Sequence, residues 1–152
     1  MSRPRSSHNS GDSRHYYKWL DKAGEDIITA GVLVNNDSCY NAAAFHCQQT
    51  IEKALKAYIL FKSNVLVDGH NLSWLCQRAA RYNAIFRDWM DRCTALNHCY
   101  IQTRYPADLP VELDFVLVMQ YYHMARDMYL FICEQVDAAL EKNRIHPAQK
   151  SK

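Results

Sequence analysis

The sequence predicts an all-α protein, an antiparallel up-and-down bundle of four long helices and one short one. Apolar residues recur at three- and four-residue steps over segments too long for ordinary strands. No segment alternates apolar and polar residues at the two-residue step of a half-buried strand, and no repeat is present. Only four glycines and four prolines interrupt 152 residues, which leaves long stretches free to be helical.

Residues 1–13, "MSRPRSSHNSGDS", are rich in serine, carry Arg3 and Arg5 and have no apolar period, so they read as a disordered tail. The bundle is expected over residues 14–143, followed by a flexible C-terminal tail, 144–152. A first helix starts near Ser13 or Arg14 and runs to about Asn35, with Tyr16, Trp19, Leu20, Ala23, Ile27, Ala30 and Val34 on its apolar stripe. "NNDS" ends it, and Asp37 or Ser38 can cap the next. The second helix, Tyr40 to Lys62, is rich in alanine and the strongest helix former in the chain. "SNVLVDGHN" is a connection in which Val65, Leu66 and Val67 can form a short extended piece. The third helix, Leu72 to about Tyr82, takes Asn71 as its cap, and a fourth runs from Ile85 to Thr103. Pro106 and Pro110 bracket a segment that cannot be helical throughout. The last helix opens near Val111, where Glu112 and Asp114 suit its positive end, and continues to Asn143.

A chain of this length forms one domain that buries roughly two-thirds of its unfolded surface and needs no staples. The six cysteines sit mostly within helical patterns and no secretory signal precedes them, so they are expected as free thiols in a reducing cytoplasm. A net charge of +2 is too small to argue for a nucleic-acid partner. No apolar run approaches the ~18 residues of a membrane span. The pairs His46-Cys47 and His98-Cys99 lack zinc spacing, no glycine-rich phosphate loop is present, and neither metal nor cofactor is expected. Phe115, Tyr121, Tyr122, Tyr129 and Phe131 on the last helix suit packing and a dimer surface.

The second helix carries the sharpest question. On a helical wheel Gln49, Glu52, Lys53 and Lys56 share an arc of about 100°, opposite Ala43, Cys47, Ile51, Ala54 and Tyr58. The simplest reading is a solvated stripe with Glu52 paired to Lys56. Phe45 and Leu60 flank the same arc, however, and favour partial burial and a site.

Trp19, Ala23 and Asp26, then "AAFHCQQTIEKALKAYI", then "GHNLSWL", then "YIQTRYP" occur in an order and spacing that resembles the HEPN domain family, the higher eukaryotes and prokaryotes nucleotide-binding domain, over about Tyr17 to Leu140. The resemblance implies a helical module and several functions. One is a nucleotide-associated or partner-binding component, commonly a homodimer paired with a minimal nucleotidyltransferase in a two-gene system. Another is a metal-independent ribonuclease toxin carrying an Arg and, a few residues on, a His.

Arg92 and His98 are the candidate for that toxin motif, with His98 for proton transfer and Arg92 for the charge on the phosphorane. Their spacing leaves them about 120° apart on an ideal helix, so the binding-module reading is preferred and the ribonuclease is the alternative. For binding of nucleotide, RNA or partner, the candidates are Gln49, Glu52, Lys53, Lys56, His70, Tyr100, Arg104 and Tyr105. Arg104 beside Lys53 and Lys56 would make a small cationic pocket for a phosphate, with Tyr100 or Tyr105 stacking on a base. Arg104 also has a structural reading as a C-terminal helix cation, and His70 one as a loop anchor.

Overall fold

The computed structural model describes residues 12–102 and 113–145, with only the helical backbone described at residues 99–102. Five α-helices, α1 (Tyr16–Leu33), α2 (Tyr40–Ser63), α3 (Leu72–Ala80), α4 (Met90–Gln102) and α5 (Phe115–Ile145), form the bundle, and no strand occurs among the described residues. Two 3-10 turns, Asp37–Cys39 and Ala84–Trp89, lead into α2 and α4.

The helix ends differ from the sequence expectation in instructive ways. Neither Asp37 nor Ser38 caps α2, whose N-cap residue Cys39 makes no side-chain capping bond; Asn36 instead caps the 3-10 turn ahead of it, accepting from the Ser38 N–H at 3.0 Å. Asn64 takes the left-handed conformation (φ 56°) that closes α2, and residues 64–71 continue without a strand. Asn71 does cap α3, through the Trp74 N–H at 3.0 Å. Residues 85–89 are 3-10 rather than α because the Asn83 side chain accepts from the Ile85 N–H and fixes a tighter turn. Asp114 sits one step outside α5 and caps it, its carboxylate accepting from the Leu117 N–H at 2.8 Å.

Helix α1 runs antiparallel to α2: Tyr16 meets Phe61, Trp19 meets Lys56 and Asp26 meets Lys53 and His46. It also runs antiparallel to α5. A Cβ on Gly24 would lie 2.9 Å from the Tyr129 hydroxyl, and one on Gly31 would lie 3.1 Å from that of Tyr122. Both pairs are spaced by two helical turns, so two glycines in α1 receive two tyrosines from α5. The aromatic string of α5 therefore packs inward at Tyr121, Tyr122, Tyr129 and Phe131, while Phe115 is half exposed.

Helix α2 is the axis of the molecule, in contact with α1, α3, α4 and α5. Its alanines 43, 44, 54 and 57 are fully buried and let the neighbouring helices approach closely. Cys47, Cys76 and Cys93 are buried thiols, and Cys39 and Cys133 are free as well. A hydrogen bond to Cys76, with burial, raises the Cys93 thiol above its ordinary range, and the same bond lowers Cys76. Ser13, assigned to the tail by sequence, is engaged: its carbonyl accepts from the Trp19 indole N–H at 2.8 Å.

Candidate functional site

A helix packed against four others keeps little of its length in solvent. On α2 Gln48 is fully buried, and Glu52 and Lys56 are 4 % and 7 % exposed. The solvated reading of this arc is thus corrected: α1 and the loop before α3 cover it. Glu52 and Lys56 do pair, at 3.0 Å, but in the interior.

Two carboxylates organise the buried charge. Asp26, on the core-facing side of α1, accepts from Lys53 Nζ through Oδ2 and lies 2.8 Å from His46 Nδ1 through Oδ1. Glu52 holds Lys56 Nζ and His70 Nδ1 (2.7 Å) on Oε1, and the amides of Gln48 (3.2 Å) and Gln49 (3.1 Å) on Oε2. Gln49 also donates to the side-chain oxygen Oε1 of Gln48 at 2.7 Å. The Lys56 ammonium is closed off by the Trp19 ring, 5.6 Å away. Each carboxylate therefore holds one lysine and one imidazole, and the two units adjoin because Glu52 and Lys53 are consecutive. No buried side-chain nitrogen or oxygen among the described residues lacks a partner.

This arrangement revises the idea of a bare cationic pocket, since Lys53 and Lys56 are each neutralised by a carboxylate. Lys56 is locked inside. Lys53 remains 25 % exposed and reaches the rim of a cleft of about 520 Å³ that Ser13, Lys18, Trp19, Lys22 and Glu25 help to line. Asp26 thereby orients an ammonium that keeps donors to spare, because a lysine carries three. Both imidazoles are held through Nδ1 by a carboxylate and are part-exposed, His70 (57 %) more than His46 (30 %).

The other candidates stand apart. Arg92 and His98 are both exposed on α4, on either side of the buried Cys93 and Leu96, and neither makes an ion pair or hydrogen bond among the described residues. The side chain of Tyr100, and Arg104 and Tyr105 altogether, lie outside the described residues. No group of three His, Cys, Asp or Glu side chains among the described residues is arranged to hold a metal ion. No helix among them is long and apolar enough to cross a membrane.

Asp26 and His46 were not named from sequence as site residues. The signal was present for Asp26: it shares one face with Trp19, Ala23 and Ala30, and an acid within an apolar stripe requires a partner.

The HEPN domain family profile matches residues 16–135, most of the chain. The chain belongs to the HEPN domain family. No curated protein matches the sequence. Two solved structures share the HEPN fold of this chain. TT1696 from Thermus thermophilus is 23% identical with a TM-score of 0.72, over 80% of this chain and 98% of that one. ST0689, an archaeal HEPN homologue, is 21% identical with a TM-score of 0.65, again over 80% of this chain and 98% of that one. At such identities the likeness speaks for the fold of this HEPN domain. The family comprises helical modules of nucleotide-binding or ribonuclease type, and HEPN domains often dimerise.

Proposed function

We propose that this HEPN domain is a binding module for a nucleotide, working as the helical component of a two-gene system with a minimal nucleotidyltransferase, and as a homodimer. One observation carries the reading. Lys53 is anchored by the buried Asp26 at the edge of a cleft beside Trp19, so a cation and an aromatic face are presented together. The cleft's volume of about 520 Å³ falls within the range of small-ligand sites, roughly 300–1,000 Å³. Lys53, with Lys18 and Lys22, suits a phosphate, and the indole suits a base.

The ribonuclease reading gains no comparable support. Acid–base cleavage needs two groups converging on one phosphate, whereas Arg92 and His98 are exposed, unpaired among the described residues and about 120° apart around α4.

Calorimetric titration with adenosine monophosphate tests the proposal. The wild type should bind, and Lys53→Met or Trp19→Leu should weaken binding about tenfold or more while the protein stays folded, as loss of a charged hydrogen bond or a stacking face would. Equal affinity in both folded variants would refute this site.

A further inference from the structure

A second cleft, of about 450 Å³, opens between the end of α3 and the turn into α4, lined by Gln77, Ala80, Arg81, Arg87 and Met90. Its charge has one sign. The Trp19 cleft sets Asp12, Asp21 and Glu25 against Lys18, Lys22 and Lys53, but this one is lined by two arginines and no acidic residue. Asp88 and Asp91 are near in sequence, yet neither Arg81 nor Arg87 makes an ion pair or side-chain hydrogen bond among the described residues. From Trp74 to Arg92 the chain carries four arginines against two aspartates, a surplus as large as the net +2 of the whole chain.

Two guanidiniums facing one space repel each other, and folded surfaces ordinarily intersperse the two signs. The α3 dipole accounts for Arg81, which follows the last turn of that helix. It does not account for Arg87, which comes from a separate turn and enters the same cleft. An aromatic surface adjoins. Trp74 and Tyr82 are 41 % and 44 % exposed, and the Arg78 guanidinium lies over the Trp74 ring at 5.4 Å. Trp74, Arg78 and Tyr82 follow at four-residue steps, beside Gln77 and Arg81, which are also four apart.

We propose that this cleft binds a phosphate group, with Arg81 and Arg87 donating to its oxygens and the Gln77 amide completing the set. The planar guanidinium fork matches two oxygens of a phosphate, and Gln77 adds a neutral donor without charge repulsion. The phosphate belongs either to a free phosphate monoester or to the backbone of a single-stranded polynucleotide whose bases reach Tyr82 and Trp74. The site is separate from the Trp19 cleft and does not depend on its occupancy.

The test uses two probes, adenosine monophosphate and a short single-stranded oligothymidylate, titrated into the full chain carrying Lys53→Met with Trp19→Leu so that the first cleft is weakened. Binding is read by calorimetry and by the nuclear magnetic resonance signal of the Gln77 side-chain amide. At least one probe should bind and shift that signal, and Arg81→Gln with Arg87→Gln should reduce its affinity about tenfold or more. The oligothymidylate carries no terminal phosphate, so an effect confined to adenosine monophosphate assigns the monoester as the source, and an effect on the oligonucleotide assigns the backbone. Should the double variant fold poorly, Arg87→Gln alone carries the test, since Arg87 is exposed and caps no α-helix. A Gln77 signal unmoved by both probes, or unchanged affinity in the folded variant, would overturn the proposal.

Discussion

His70 Nδ1 lies 2.7 Å from Glu52 Oε1, joining the loop before α3 to the middle of the central helix. The same oxygen accepts from Lys56, so one carboxylate fixes a loop and neutralises the ammonium of a buried lysine. The polar arc of α2 is a structural node first: Glu52 and Lys56 are buried, and Gln49 and Lys53 are part-exposed.

Glu52→Gln should therefore be strongly destabilising. It leaves the Lys56 ammonium buried without its counter-charge, a change that typically costs about 3–5 kcal/mol. Adding Lys56→Met removes the orphaned charge and should recover much of the loss. Urea unfolding of the two variants measures this, and a double variant no more stable than the single one would contradict it.

The glycine–tyrosine contacts between α1 and α5 make a prediction opposite in sign to helix propensity. Alanine in place of an exposed helical glycine usually adds about 1 kcal/mol of stability. Gly24→Ala should instead destabilise, because its Cβ would meet the Tyr129 hydroxyl at 2.9 Å. In a Tyr129→Phe background the clash is relieved and the same substitution should become neutral or stabilising. Thermal melts of the four proteins in this cycle decide the matter.

Burial first, then a hydrogen bond with Cys133, pushes the Tyr129 phenol up to about 12. Its unfolded counterpart ionises near 10, so between these values the unfolded chain has lost a proton that the folded one keeps. Stability from this group is complete below about pH 10 and is lost as pH rises towards 12. Tyr129→Phe should flatten that arm of the pH–stability curve relative to wild type, and an unchanged slope would refute the assignment.

Much of this was legible in the sequence, and the misreadings have physical causes. The apolar stripe of α1 and the polar arc of α2 were both correct as angular statements. A wheel, however, reports direction and not what stands there, so an arc enclosed by α1 and the α3 loop read as solvated. Asp26 illustrates the converse, an acid on an apolar stripe that signals a buried partner without saying which. Periodicity also carried the fourth helix back to Ile85, because a 3-10 turn and an α-helix start look alike until the Asn83 side chain is seen to tighten the backbone. Gly24 and Gly31 register as weak points of a helix until Tyr129 and Tyr122 are seen to occupy the space.

The most direct test of the account is to induce this chain alone in a bacterial host and follow growth and total RNA. Nucleotide binding in the Trp19 cleft and phosphate binding between Arg81 and Arg87 involve no chemistry at Arg92 and His98, so growth and RNA should remain intact. Growth arrest with RNA cleavage, abolished by Arg92→Ala or His98→Ala in soluble, folded protein, would contradict it. Loss of an acid–base residue should lower the rate by ~100-fold or more, enough for either variant to restore growth.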